Sequence, residues 1–436
     1  MFVKPLYNLT YYFYFMKIFA DLQIHSRFSR ATSPSITLPN LEKYARLKGL
    51  NLLGTGDFTH PKWLAELKSE LKEDGSGILT SSSGFKFVLQ GEVSNIYTQD
   101  GKGRRVHTLL LARNFETVGQ INQALLKKGR LDYDGRPIFG FSCIELVEMM
   151  KEISDDIEII PAHAWTPWYG IFGSMTGFDS VEECFKDQSK HIYAIETGLS
   201  SDPAMNWRIS GLDKYTLVSS SDAHSFWPWR LGRECNVFEF EELFSYSDII
   251  NAIRLRKNFL ETIEFWPHEG KYHFTGHRAC NVVLSPKDAL KLNDICPVCG
   301  RKLTVGVAER IEALADRPEG FVPKNSVPFR NLIPLSEVIA GTTGEKVESK
   351  KVWEEYHKLV KSFGNEFEVL LNAEENELRK ITADKIANNL IRNRHQKILF
   401  NPGFDGVYGV PIFDEEKIKE ETIFAKTQKG LQEFLR

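Results

Sequence analysis

The sequence predicts an α/β fold of the β/α-barrel class, and three observations predict it. Short apolar runs recur along the first half of the chain, each bounded by Gly, Pro or Ser. The segments between them are long enough to hold a helix, which is the alternation of barrel proteins. Most of the runs close on a carboxylate or an imidazole, and barrel enzymes gather their chemistry at the carboxyl ends of their strands.

The first run, around Ile18, Phe19, Ala20, Leu22 and Ile24, reads as a buried strand. Period two sets Asp21, Gln23 and His25 on one of its faces. Asn51 to His60, NLLGTGDFTH, places Asp57 and His60 after the next run, and FVLQGEV ends on Glu92. His107 heads HTLLLA, IEIIPAH ends on His163, and LVSSSDAH carries Asp222 and His224. Glu196 closes another run, IYAIETG, with no neighbour of ligand type.

Cysteine use fits a reducing compartment. Cys143, Cys184 and Cys235 are scattered and read as small buried apolar residues. His277-x-x-Cys280 and Cys296-x-x-Cys299 instead form two ligand pairs, the spacing of a tetrahedral structural zinc, with His273 a competing fourth ligand. The boundary of this module falls near Trp266 to Gly270. A proline-rich connector follows, and from Glu345 apolar residues such as Val352, Tyr356, Leu359 and Phe363 take helical spacing.

In order, the strand-end motifs ADLQIHS, GTGDF, QGEV, VHTLLL, PAHAW and SSDAH resemble those of the PHP phosphoesterases. GTGDFTHPKW, AHAWTPW, SDAHSFWPWRLG, DICPVCGRKLTVGV, DRPEGFVP, LIPLSEVIAGT and NPGFDGVYG bring the chain nearer, within that superfamily, to the endonuclease Q family, over roughly Met16 to Val410. The resemblance implies a PHP-type distorted (β/α)7 barrel over 16–268, a zinc-binding module over 269–310, a connector over 311–344 and a helical DNA-binding domain over 345–436. Residues 1–15 read as an extension.

It also implies a metal-dependent DNA repair endonuclease that cuts 5′ to uracil, hypoxanthine, xanthine or abasic sites. Catalysis would fall to His25, Glu92, His107, His163, Asp222 and His224, holding divalent ions (Zn, Mg or Mn) in the barrel beside one structural zinc. Glu92 would bridge two ions; His107 and His163 complete one position, and His25 and Asp222, with a weak contribution from Gln23, the other. His224, with Asp57 or His60, would serve a third position or its vestige. Gln23, Phe58 and Arg30 depart from the superfamily pattern, so fewer than three tightly held metals are expected. Arg27 and Arg30 either supply charge to the phosphate or are plain surface residues. Trp168 and Trp227, in loops after His163 and His224, either stack on an extruded base or pack their loops. Arg392, Arg394 and Lys397, with the glycine-rich turn after them, are candidate phosphate contacts. Two other classes stay open: a small-molecule phosphatase of the histidinol-phosphate kind, and a DNA-binding protein with a decayed barrel.

The chain of 436 residues has a net charge of −3, so composition carries no nucleic-acid signal and any DNA affinity must come from local patches. No apolar run reaches the roughly 18 residues of a membrane span, and the first residues lack the features of a signal peptide. A cytoplasmic monomer is expected, with a sliding clamp among the partners the resemblance allows.

Overall fold

The computed structural model describes residues 15–414. The extension read over 1–15 lies outside the described residues except for Phe15, which opens the first strand, and so does the tail 415–436.

The architecture is mixed α/β. Strand Phe15–Asp21 lies antiparallel to Cys235–Glu241 and parallel to Leu52–Gly54. Leu52–Gly54 pairs in parallel with Lys86–Gln99, which turns back antiparallel on Lys102–Ala112. That turn is Asp100-Gly101, with φ of 53° and 74°. Positive φ at both central residues suits the twist of a tight hairpin, and Asp-Gly reaches it at low cost. Lys102–Ala112 pairs with Glu158–Pro161, and Ala194–Glu196 forms a separate parallel pair with Thr216–Val218. Backbone hydrogen bonds tie this pair and the loop after it to the rest: Ala164 N–H donates to Glu196 O at 2.9 Å, and His25 N–H to Ala223 O at 3.0 Å.

The strands are apolar on both faces because both faces are covered. Phe87, Leu89, Leu110 and Ile159 belong to one buried cluster, while their neighbours Val88, Leu109, Leu111 and Ile160 belong to another. The helix Leu38–Lys48 starts where the Thr37 side chain accepts from Asn40 N–H and stops at Gly49, whose φ of 102° ends the helix in the left-handed region.

Towards the C-terminus, helices Leu335–Thr343, Lys350–Phe363, Glu375–Ile381 and Asp384–Arg394 share the larger buried cluster with the strands. Lys48 and Glu366, both buried, join at 2.7 Å and anchor these helices to the first one. The segment read as helical also contains an antiparallel hairpin, Leu399–Asn401 with Val410–Ile412. It leans on the cysteine-bearing segment: Phe274 N–H donates to Gly403 O at 2.9 Å, and Arg278 N–H to Asp405 Oδ2 at 2.7 Å.

Candidate metal centres and active site

Glu92 lies fully buried within the strand Lys86–Gln99, and the other candidate ligands arrange themselves around it. Its Oε2 is 3.0 Å from His25 Nε2 and 3.2 Å from Arg136 Nη1. Its Oε1 is 2.9 Å from His107 Nδ1 and 3.4 Å from His163 Nε2. His25 Nε2 is also 3.0 Å from Asp222 Oδ1. Two groups result, His25/Asp222/His224 and Glu92/His107/His163, with ligand atoms in each within 4.8 Å of one another.

The donor sets suit divalent ions. His25 Nε2, Glu92 Oε1 and Asp222 Oδ1 are buried without a well-directed hydrogen bond. In three of the four imidazoles Nδ1 is meanwhile occupied: His25 Nδ1 meets Asp57 Oδ1 at 2.9 Å, His163 Nδ1 meets Thr166 Oγ1 at 3.0 Å, and His224 Nδ1 meets Asp222 O at 2.8 Å, whereas His107 turns Nδ1 to Glu92. A partner on Nδ1 fixes the tautomer and leaves Nε2 to a metal. Burial pushes His107 down to about 3, so its imidazole is neutral, the form a metal ion requires. Burial also opposes charge on His25, but Asp57, Asp222 and Glu92 hold it well above the ordinary histidine value. Burial likewise works against the Glu92 carboxylate, yet Arg136 and His107 hold it well below the usual range.

Asp57 stands behind His25. Its Oδ2 accepts from Ser26 N–H at 2.6 Å and from Ser29 Oγ at 2.9 Å, so its place is to orient an imidazole. Gln23, with its amide nitrogen turned to Glu196, donates to both carboxyl oxygens at 2.7 and 2.9 Å. Glu196 Oε2 also accepts from His163 N–H at 2.7 Å, and burial beside Asp222 and Glu92 holds this carboxyl far above the usual range. Phe58 is buried, and His60 stacks on Phe28 at 4.4 Å. Asp57, His163 and Asp222 have φ of 38°, 32° and 48°, a left-handed conformation rare for side-chain-bearing residues and typical of strained functional turns.

His277, Cys280, Cys296 and Cys299 form a third group within the same 4.8 Å limit. The knuckle is built from the hairpin Thr275–His277/Val282–Leu284, and Cys299 Sγ is 3.5 Å from His277 Nδ1. Although desolvation raises the Cys296 thiol, N–H groups of Cys299 and Val298 draw it down to about 6, favouring the ligating thiolate. His273 is buried elsewhere, against His268 and Phe274.

The candidate DNA contacts separate. Arg27 is engaged by Glu66 and Ile36 O, and Arg30, 72% exposed, pairs with Asp134. Trp168 stands edge-on to Tyr272 at 5.5 Å, at the border with the cysteine-bearing segment. Trp227 stacks on Trp229 at 5.1 Å and 6°, and both meet Trp353 of the helix Lys350–Phe363. Arg394 donates to the carbonyls of Leu370 and Val369, and Arg392 to Asn389, whereas the Lys397 side chain is exposed. In the glycine-rich turn, the N–H groups of Gly403, Phe404, Gly406, Val407 and Gly409 all donate to carbonyls of the protein. Phosphate binding by those amides is therefore corrected: they are already used.

Sequence reasoning passed over Arg136. It lies in the polar stretch RLDYDGRPIF, and only the Asp-Gly-Arg-Pro turn before an apolar pair would have marked it.

Fold and site define an α/β protein with a candidate multimetal centre at strand ends and a separate Cys/His knuckle. Residues 334–397 match the family model of the MJ0043 C-terminal domain. The protein MJ0043 of Methanocaldococcus jannaschii is 34% identical over 276 residues, 62% of this chain but only 34% of MJ0043, so the match spans about a third of that relative. The lesion-specific endonuclease PfuEndoQ from Pyrococcus furiosus is 33% identical, with a TM-score of 0.82 over 93% of this chain and 97% of that one. A structure of endonuclease Q in complex with a 27-mer duplex bearing an abasic lesion at the active site is 34% identical, with the same TM-score of 0.82 over 92% and 98% of the two chains. The chain belongs to the endonuclease Q family.

Proposed function

We propose that this protein is a metal-dependent DNA repair endonuclease that hydrolyses the phosphodiester 5′ to a deaminated base (uracil, hypoxanthine or xanthine) or an abasic site. The observation that carries the reading is Glu92, whose two oxygens face separate His-bearing groups. The likeness to a lesion-specific endonuclease and to a complex with abasic-lesion DNA, over more than nine-tenths of the chain, supports it.

His25, Asp222 and His224 would hold one divalent ion, and Glu92, His107 and His163 another, with the Cys/His knuckle holding zinc. Bound divalent ions supply an acidic water and Lewis-acid polarisation of the phosphate. The protein's own part is orientation. Asp57 fixes the His25 ring and Thr166 that of His163, so that both present Nε2. Glu196 braces the strained turn at His163 through its backbone.

The pairings around Glu92 support a distorted seven-stranded (β/α)7 barrel ending near residue 268, followed by the zinc module (269–310), the connector (311–344) and a C-terminal DNA-binding domain from 345. Among the described residues no helix is long and apolar enough to cross a membrane. A duplex with one abasic site, incubated with Mg²⁺, Mn²⁺ or a chelator, tests the function. Nicking 5′ to the lesion that the chelator abolishes is expected; hydrolysis of a small phosphomonoester with intact DNA would replace this reading with the phosphatase one.

A further inference from the structure

We propose that Arg136 is a catalytic residue that contacts a non-bridging oxygen of the scissile phosphodiester, supplying a fixed positive charge at the reacting centre. This rests on the reading of the site as a phosphodiester hydrolase.

The site is crowded with carboxylates: Glu92, Asp57 and Asp222 are all built around His25. A phosphodiester brings a further negative charge, and its transition state concentrates that charge on the non-bridging oxygens. Preorganised cations aimed at developing charge are among the strongest catalytic devices available. Arg27 is committed to Glu66 and Ile36 O, and Arg30 is exposed and turned to Asp134. Arg136 is different. Its Nη1 meets Glu92 Oε2 at 3.2 Å, and only 22% of its side chain is exposed. Among the described residues, this is the one hydrogen bond its guanidinium makes. A planar fork held by a single bond retains donors for a phosphate, and arginine is suited to just that geometry.

The backbone of this turn is built for placement. Arg136 N–H donates to Asp134 Oδ1 at 3.1 Å, Gly135 N–H to Phe28 O at 3.1 Å, and Thr59 Oγ1 to Gly135 O at 3.0 Å. On the far side, Ser94 N–H donates to Pro137 O at 3.0 Å. The turn is thus sewn to the two loops that carry His25 and Asp57 and to the strand that carries Glu92. A Cβ on Gly135 would stand 2.2 Å from Asp57 Oδ2, so only glycine lets the turn come this close. A surface arginine needs no such mounting.

The test compares wild type, Arg136→Gln and Arg136→Lys on the abasic duplex with Mn²⁺, beside calorimetric titration of Mn²⁺ into each protein. The expected result for Arg136→Gln is a kcat lower by about 10²-fold or more, the scale of losing one oxyanion donor, with KM changed far less. Mn²⁺ affinity should be equal or higher, because a cation beside the ligands has been removed, and added guanidinium should restore part of the rate. Arg136→Lys should fall between. If the residue merely steadies Glu92, Arg136→Gln will bind Mn²⁺ more weakly and guanidinium will restore nothing, which overturns the proposal. A kcat within threefold of wild type overturns it as well. A wild-type protein that cuts no DNA while binding Mn²⁺ overturns the functional reading and this proposal together.

Discussion

Lys48 and Glu366 are expected to be the strongest single coupling between the first helix and the C-terminal helices. Lys48 is 1% exposed and Glu366 not at all. Lys48 Nζ donates to Glu366 Oε1 at 2.7 Å and to Pro228 O at 2.9 Å. Glu366 also accepts from Leu335 N–H at 2.9 Å and from Tyr356 OH at 3.0 Å. Lys48→Met removes the cation and leaves a buried carboxylate with only two neutral donors. Breaking a buried pair from one side costs about 3–5 kcal/mol, because the remaining charge is uncompensated. That is a large part of the roughly 5–15 kcal/mol that holds a protein folded. Glu366→Gln strands the ammonium instead and should cost a similar amount. The double variant buries no charge, and its Gln carbonyl still accepts from Leu335 N–H. It should therefore be more stable than the sum of the singles predicts, by about 2 kcal/mol or more, since groups in contact are not additive. Urea denaturation followed by far-ultraviolet circular dichroism measures the cycle. Near-ultraviolet dichroism reports a second consequence: Pro228 lies between the stacked Trp227 and Trp229, so Lys48→Met should weaken their coupled signal. A loss below about 1 kcal/mol in Lys48→Met, or singles that add to the double within about 0.5 kcal/mol, would refute the reasoning.

Other outcomes follow from the same contacts. Burial pushes the Glu264 carboxyl up to about 8 against hydrogen bonds from Thr262, Thr197 and Ser219, while an unfolded carboxyl loses its proton near 4.5. The fold therefore retains a proton that the unfolded chain has released, stability falls as pH rises from 4.5 to 8, and Glu264→Gln should gain on wild type across that window, by a few kcal/mol at most; melting temperatures of the two measured from pH 5 to 8 check it, and a constant gap would contradict it. Cys296→Ser should lose the zinc and destabilise its small module, whereas Glu92→Gln should stop cutting and keep the zinc, as metal analysis of the purified variants will show. Because Asp57, Asp222 and Glu92 favour the protonated form of His25, metal binding there should release a proton and strengthen from pH 6 to 8, read from buffer-dependent heats in calorimetry. Trp168→Ala should lower cutting of a uracil duplex more than of an abasic one, which has no base to stack, while Trp227→Ala, which undoes packing on Trp229 and Trp353, should lower stability first.

What the sequence discloses about this protein, and what it hides, divides on whether a residue's partners are local. His25, Glu92, His107, His163, Asp222 and His224 are legible because each sits within an apolar run or just past its end; period two places Glu92 and His107 inside their strands, while the others stand in the turns that follow theirs. The His/Cys pairs are legible for the same reason, since the spacing within each pair is itself the geometry. Asp57 was readable as a ligand type but not as a residue behind His25, because that depends on the turn between two loops meeting Ser26 and Ser29. For Trp227 the sequence leaves base stacking and loop packing both open, because its surroundings come from a helix that begins at Lys350. The glycine-rich turn offers amides in sequence that the fold spends within the turn itself and on the carbonyls of His268, Glu269 and Lys271. Arg136 is the clearest case. Its own stretch is an unremarkable polar loop, and its position beside Glu92 follows only once Gly135 has closed against Asp57 and Ser29, residues more than seventy positions earlier in the chain. The candidate ligands are therefore announced by the local apolar runs they sit in or follow, whereas the charges and rings that would meet a substrate are set by long-range contacts that no local pattern encodes.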